Sequence, residues 1–157
     1  MKTSEHAKEL LATDDFEGCV LHIYKDSAGY PTIGIGHKLT QEERVGGKFT
    51  NGITKQQALD LCAVDLIPAE NAVNSHVKVE LSQNQFDAFV IFTFNIGAGG
   101  FASSSALTCA NEGAFADVPA HMLLWDKITD EKTKKLVVCD GLITRRKNEI
   151  KIWNGTL

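Results

Sequence analysis

No apolar run in this sequence is long enough to cross a bilayer. The longest candidate, FDAFVIFTFNIGAGGFA from Phe86, carries Asp87 at its start and glycines toward its end, and it falls short of the roughly 20 residues that a span needs. An export signal is missing as well, because the opening MKTSEHAKELLATDDFEG sets Glu5, Lys8, Glu9, Asp14 and Asp15 where a signal peptide requires an uninterrupted apolar stretch. The expectation is a soluble chain without membrane insertion that stays in the compartment where it is made. Proline is scarce, at three residues, and 43% hydrophobic against 23% charged residues is an ordinary globular balance, which excludes disorder, collagen and coiled coil. The four cysteines, Cys19, Cys62, Cys109 and Cys139, form no CxxC pair; a zinc ribbon and a redox motif are excluded, and reduced thiols are expected. Cys19 and His22, three apart, would lie on opposite faces of a strand, which argues against a metal or nucleophile pair. There is no excess of basic residues, 16 Lys and Arg against 20 Asp and Glu for a net charge of −4, so neither nucleic acid nor an anionic membrane is an expected partner. No internal repeat is visible.

What is present begins with length: 157 residues suffice for one compact domain or two small lobes with a real core. Residues 4–15 place Ala7, Leu10 and Leu11 at helical spacing, which predicts a short helix ending near Phe16 and Gly18. Glu17 would then stand at a helix C-terminus, where the macrodipole disfavours a carboxylate. Cys19 to Tyr24 reads as a strand, DSAG at 26–29 as a turn, and YPTIGIGHKL as a resumed strand. Alternation along that strand puts Ile33, Ile35 and His37 on a buried face and Thr32, Gly34 and Gly36 on the other. A hydroxyl followed by two absent side chains predicts a cleft floor on which something can lie. Alternation also turns His37 away from that floor, so a structural hydrogen bond or salt bridge is expected of it rather than acid–base chemistry.

The remainder reads as helical. TQEE (40–43), TKQQ (54–57) and SQNQ (82–85) match the capping-box pattern and predict three helix starts. The third opens a segment whose Phe86, Phe89, Val90 and Phe94 repeat at helical spacing, which predicts a central helix ended by GAGG at 97–100. SSSALTCANEG (103–113) and Val118–Trp125 predict two more helices, TDEKTKK (129–135) a charged loop, and GLITRRKNEIKIW (141–153) a last helix with Ile143, Ile150 and Trp153 toward the core. Taken alone, Glu17 and Asp26 read as a solvated helix end and a turn aspartate. Two carboxyl groups flanking a cleft are nevertheless the apparatus for cleaving a glycosidic bond.

Glu17, eight residues, Asp26, five residues and Thr32 reproduce a spacing that resembles the catalytic pattern of the phage-type lysozymes, the endolysins of tailed bacteriophages. EG, IYKD, GYPTIGIGH and LT look like the wording of that family. LSQNQFDAFVIFTFNIGAGGFASSSAL (81–107) resembles its second block, and WDK with GLITRRKNEIKIW its third. The resemblance spans nearly the whole chain, in order.

The resemblance implies an α+β, lysozyme-like fold: a β-containing lobe over about 14–60 and a helical lobe over about 61–157 that includes the N-terminal helix, joined by a long helix with the active-site cleft between. It implies that Glu17 is the general acid, that Asp26 is the carboxylate working with water on the opposite sugar face, and that Thr32 is the hydroxyl holding that water. Lys38, Phe94 and Ser104 match glycan contacts, although Phe94 reads equally as core and Ser104 lies within a triple serine. Arg145 and Arg146 read by themselves as solvated helix charges, and one of them resembles the family arginine that pairs with the catalytic glutamate. The implied activity is hydrolysis of peptidoglycan between N-acetylmuramic acid and N-acetylglucosamine, with no metal or organic cofactor. The implied setting is a monomer held in the host cytoplasm until another phage protein permeabilises the membrane. A chitin hydrolase with the same carboxylates, or an inactive glycan-binding module, are the alternatives. The chain departs from the family in being mildly acidic and in replacing a shorter glycine-rich hairpin by ITDEKTKKLVVC.

Overall fold

The computed structural model describes all 157 residues, Met1–Leu157, which divide into two compact units, Ser4–Ile67 and Pro68–Leu157 with Met1–Thr3. The first unit holds α1 (Glu5–Leu11), β1 (Val20–Lys25), β2 (Pro31–Gly34), β3 (His37–Lys38), α2 (Gln41–Gly46) and α3 (Lys55–Asp65). The second holds α4, which starts at the boundary (Ile67–His76), α5 (Gln83–Ile96), α6 (Ala98–Ser103), α7 (Ser105–Asn111), α8 (Val118–Met122), β4 (Lys127–Thr129), β5 (Leu136–Val138) and α9 (Asp140–Trp153). The lobe boundaries read from sequence differ from these units. The division falls at Ile67 rather than near 60, and α1, expected with the helical lobe, packs on α3 in the sheet-bearing unit. Between α3 and α4 the helical run is interrupted at Leu66, because Pro68 has no N–H for the Val64 carbonyl and its ring crowds that carbonyl.

In the first unit the three strands form an antiparallel sheet in the order β1-β2-β3. The continuous strand expected over residues 30–39 is in fact a tight hairpin. Gly34 and Gly36 adopt φ of +65° and +68°, left-handed values that glycine reaches without steric cost, and the chain folds back so that Ile33 faces His37 and Thr32 faces Lys38. The cleft floor predicted at the two glycines is likewise corrected. A Cβ on Gly34 would meet Ala58 and Ile53 at 3.3 Å, so that side is packed against α3. All three predicted capping boxes form, with Thr40, Thr54 and Ser82 each accepting from the N3 backbone while Glu43, Gln57 and Gln85 reach back.

In the second unit α5 is buried nearly all round, with Phe86, Ala88, Phe89, Val90, Ile91 and Phe92 in the core. The Phe89 ring lies 5.1 Å from that of Phe101 and 4.8 Å from that of Trp153. Gly97 ends α5 as predicted, but Gly99 and Gly100 sit inside α6. The helix packed on α5 is α9, and its inward face is not the predicted one. Ile143 and Ile150 are only half-buried, whereas Arg145, Arg146, Asn148 and Glu149 are buried beside Ile152 and Trp153. The run 129–135, predicted as a loop, is the end of a two-stranded hairpin in which Lys127, Ile128 and Thr129 pair with Val138, Val137 and Leu136. Its turn is held by the Asp130 carboxylate, which accepts from the Lys132 and Thr133 backbone N–H groups at 2.9 and 2.8 Å. All four cysteines are free thiols, and no helix is long and apolar enough to cross a membrane.

Candidate active site

Glu17 lies six residues beyond the end of α1 rather than at its C-terminus, tied back by its own N–H donating to the Leu11 carbonyl at 3.0 Å. Its carboxylate reaches the β2–β3 hairpin: a Cβ on Gly36 would come within 3.0 Å of Glu17 Oε2. The missing side chain at Gly36 therefore makes room for the carboxylate, not for a ligand. Asp26 opens the turn after β1, where its Oδ1 accepts from the Ala28 and Tyr30 backbone N–H groups at 2.9 and 2.8 Å. The Tyr30 N–H, most of all, holds the Asp26 carboxyl below its ordinary pKa; the Ala28 N–H and the Lys38 ammonium add to this against partial desolvation. Asp26 is thus fixed and ionised, suited to accept a proton or stabilise a cation and unsuited to deliver a proton near neutrality.

Thr32 sits at the centre of the sheet, opposite Tyr24 on β1 and Lys38 on β3, and such cross-strand partners share a face. The row Tyr24–Thr32–Lys38 lies opposite to the side occupied by Ile33 and His37. Thr32 is 2% exposed, and its hydroxyl donates to the Tyr30 carbonyl at 2.9 Å, which leaves the oxygen free to accept. The same Tyr30 carbonyl accepts from the Asp26 N–H at 2.9 Å. The Tyr30 backbone therefore fixes Asp26 and Thr32 relative to one another, a role with no trace in the sequence. Tyr24, also unforeseen, has its phenol pKa raised, first by burial and then by the negative charges of Glu17 and Asp26.

His37 occupies the structural position expected of it. Its Nδ1 meets Asp65 Oδ2 at 2.8 Å and its Nε2 meets Glu43 Oε2 at 3.0 Å, and only the imidazolium can donate both bonds. Burial opposes the charge, but the hydrogen bonds to Glu43 and Asp65 outweigh it and raise the His37 pKa. A raised pKa gives stability that is complete below the unfolded value of about 6.5 and is lost as pH rises through the folded value. His37→Asn should therefore lower the urea midpoint most near pH 6, and the difference from wild type should shrink by pH 9. An unchanging difference would mean that His37 contributes packing alone.

The other expected residues lie in the second unit. Phe94 is half-buried on α5. Ser104 is 2% exposed; its hydroxyl donates to the Phe101 carbonyl at 2.8 Å and accepts from Leu107 N–H at 3.2 Å as the N-cap of α7. Arg145 and Arg146 are not solvated. Arg145 Nε donates to Glu149 Oε1 at 3.1 Å, and Arg146 NH1 donates to Glu149 Oε2 at 2.5 Å. Arg146 also donates from Nε to the Trp125 carbonyl at 2.9 Å and from NH2 to Asn95 Oδ1, and its guanidinium carbon lies 5.0 Å from the Phe92 ring centre. Each Arg146 nitrogen thus makes a hydrogen bond within this unit.

The sequence profile of the phage lysozyme family matches residues 14–149. The endolysin of Salmonella phage P22 is 36% identical over 135 residues, 85% of this chain and 86% of that protein. Among solved structures, the endolysin of Escherichia coli O157:H7 phage FAHEc1 superposes with a TM-score of 0.85 at 31% identity, covering 100% of this chain and 96% of that one. The muramidase domain of SpmX from Asticcacaulis excentricus gives 0.80 at 33% identity, with 97% of each chain covered. The chain belongs to the phage lysozyme family, has the lysozyme-like α+β fold, and is a phage-type, wall-lysing glycoside hydrolase.

Proposed function

We propose that this protein is a muramidase that cuts the β-1,4 bond between N-acetylmuramic acid and N-acetylglucosamine. The observation that carries the reading is the sheet-mounted pair: an Asp26 carboxylate fixed by two backbone N–H groups beside Thr32, and a Glu17 carboxylate against the same sheet at Gly36. Glu17 protonates the leaving oxygen as the C1–O bond breaks. Water adds to C1 from the opposite face, giving one proton to Asp26 while the Thr32 oxygen accepts its other hydrogen. Lys38 and Phe94 contact the glycan. The name of the structural relative, a muramidase domain, supports the bond assignment. The protein acts as a monomer and waits in the host cytoplasm until a phage protein permeabilises the membrane; its production without such a protein should leave host cells intact, and lysis under that condition would refute the dependence. Turbidity clearance of bacterial walls beside a chitin suspension tests the activity: clearance of walls alone is expected, chitin clearance would favour a chitin hydrolase, and clearance of neither an inactive module.

Water arriving opposite the leaving group inverts the anomeric carbon. Proton NMR of the first product should therefore show the α anomer, and initial β product would make Asp26 a nucleophile. Thr32→Val removes the acceptor that orients the water and should lower the rate by about tenfold to a hundredfold, on the scale of a misplaced reactant.

A further inference from the structure

Lys38 brings a cation into the candidate site, and it is held loosely. Its ammonium lies 3.7 Å from Asp26 Oδ2, too far for a hydrogen bond, and 5.4 Å from the centre of the Tyr30 ring. The Lys38 side chain is 63% exposed and Tyr30 is 51% exposed. Asp26 does not depend on Lys38 for its position, because its Oδ1 is fixed by the Ala28 and Tyr30 N–H groups. Lys38 can therefore leave Asp26 without moving it. A cation beside a carboxylate weakens that carboxylate as a base, so the resting arrangement restrains the proton acceptance assigned to Asp26. Peptidoglycan carries carboxylates on its stem peptides, and chitin carries none.

We propose that Lys38 reads the charge of the substrate: a stem-peptide carboxylate draws its ammonium away from Asp26, so that Asp26 is a stronger base when the bound glycan is acidic. This rests on the muramidase reading above. A neutral glycan leaves Lys38 beside Asp26 and is cut slowly. Tyr30 serves twice, its ring keeping the displaced ammonium near the sheet by a cation–π contact and its backbone keeping Asp26 and Thr32 in register while Lys38 moves.

The test compares native sacculi with the same sacculi after carbodiimide amidation of their carboxyl groups, reading kcat/KM for release of soluble fragments. The native-to-amidated ratio should be about two- to fivefold higher for wild type than for Lys38→Met, the scale of an exposed ion pair, and Lys38→Arg should keep the wild-type ratio. On amidated sacculi Lys38→Met should be faster than wild type, since no cation then restrains Asp26. That result separates the proposal from simple attraction between lysine and an acidic wall. A Lys38→Met enzyme of native circular dichroism with an unchanged ratio, or with no advantage on amidated sacculi, would overturn the proposal. Wild type that releases nothing from native sacculi would instead remove the muramidase reading itself.

Discussion

Glu17→Gln is expected to lower the rate of wall lysis by about 10²- to 10⁴-fold, the usual worth of a positioned general acid, with the fold intact. Glutamine matches glutamate in size and fits the space that Gly36 leaves. The backbone tie from residue 17 to the Leu11 carbonyl does not involve the side chain. What the amide cannot do is deliver a proton to the leaving oxygen. Asp26 cannot substitute for it, because its backbone hydrogen bonds favour the ionised form. Turbidity clearance and circular dichroism on the same preparation read the two halves of the expectation, and near-normal lysis by a folded variant would remove Glu17 from the mechanism.

The largest expected loss of stability lies in α9. Glu149 and Arg146 are each 0% exposed and Arg145 is 8% exposed. The carboxylate stands between two guanidinium groups on the buried face of the helix. Burial raises the Glu149 pKa while both arginines oppose it, and burial lowers that of Arg146. Glu149→Ala would leave two buried cations without their shared anion and is expected to cost about 3–5 kcal/mol, a large part of the 5–15 kcal/mol typical of a folded domain. Replacing all three charges by apolar residues of similar volume should cost far less, since the desolvation penalty goes with the charges. Urea unfolding measures both. A Glu149→Ala loss below about 1 kcal/mol, the range of a solvated pair, would show that the charges are not buried in solution.

These two regions differ in how legible they are in the sequence. The three capping boxes could be read because Thr40, Thr54 and Ser82 act on backbone groups three residues away. The faces of β2 could be read as far as Ile33, because alternation is also local. It misled from Gly34 onward, where period-two counting passes through glycines whose positive φ turns the chain back. In α9 the spacing of Arg145, Arg146 and Glu149 looks the same on a solvated face as on a buried one, and only the packing against α5 decides between them. Six strand residues of the β4–β5 hairpin were hidden by the charged turn that joins them. At the site, Glu17, Asp26 and Thr32 stood out by spacing and resemblance, whereas His37 shares the face of Ile33 because the hairpin pairs the two and not because alternation runs on. Tyr24 and Tyr30 did not stand out, because one owes its place to the register of β1 on β2 and the other acts through its backbone. The capping role of Ser104 was not legible, because a hydroxyl that caps a helix and one that meets a sugar are the same residue in a sequence.

The bond that is cut is the central claim, and the reducing ends of the products report it directly. Sacculi digested with the wild-type protein, reduced with borohydride and hydrolysed to amino sugars should yield muramitol in proportion to lysis, because a muramidase leaves N-acetylmuramic acid at each new reducing end. Glucosaminitol in its place would mean that the other glycosidic bond is cleaved, and lysis without either alditol would mean that Glu17 and Asp26 do not hydrolyse the glycan at all.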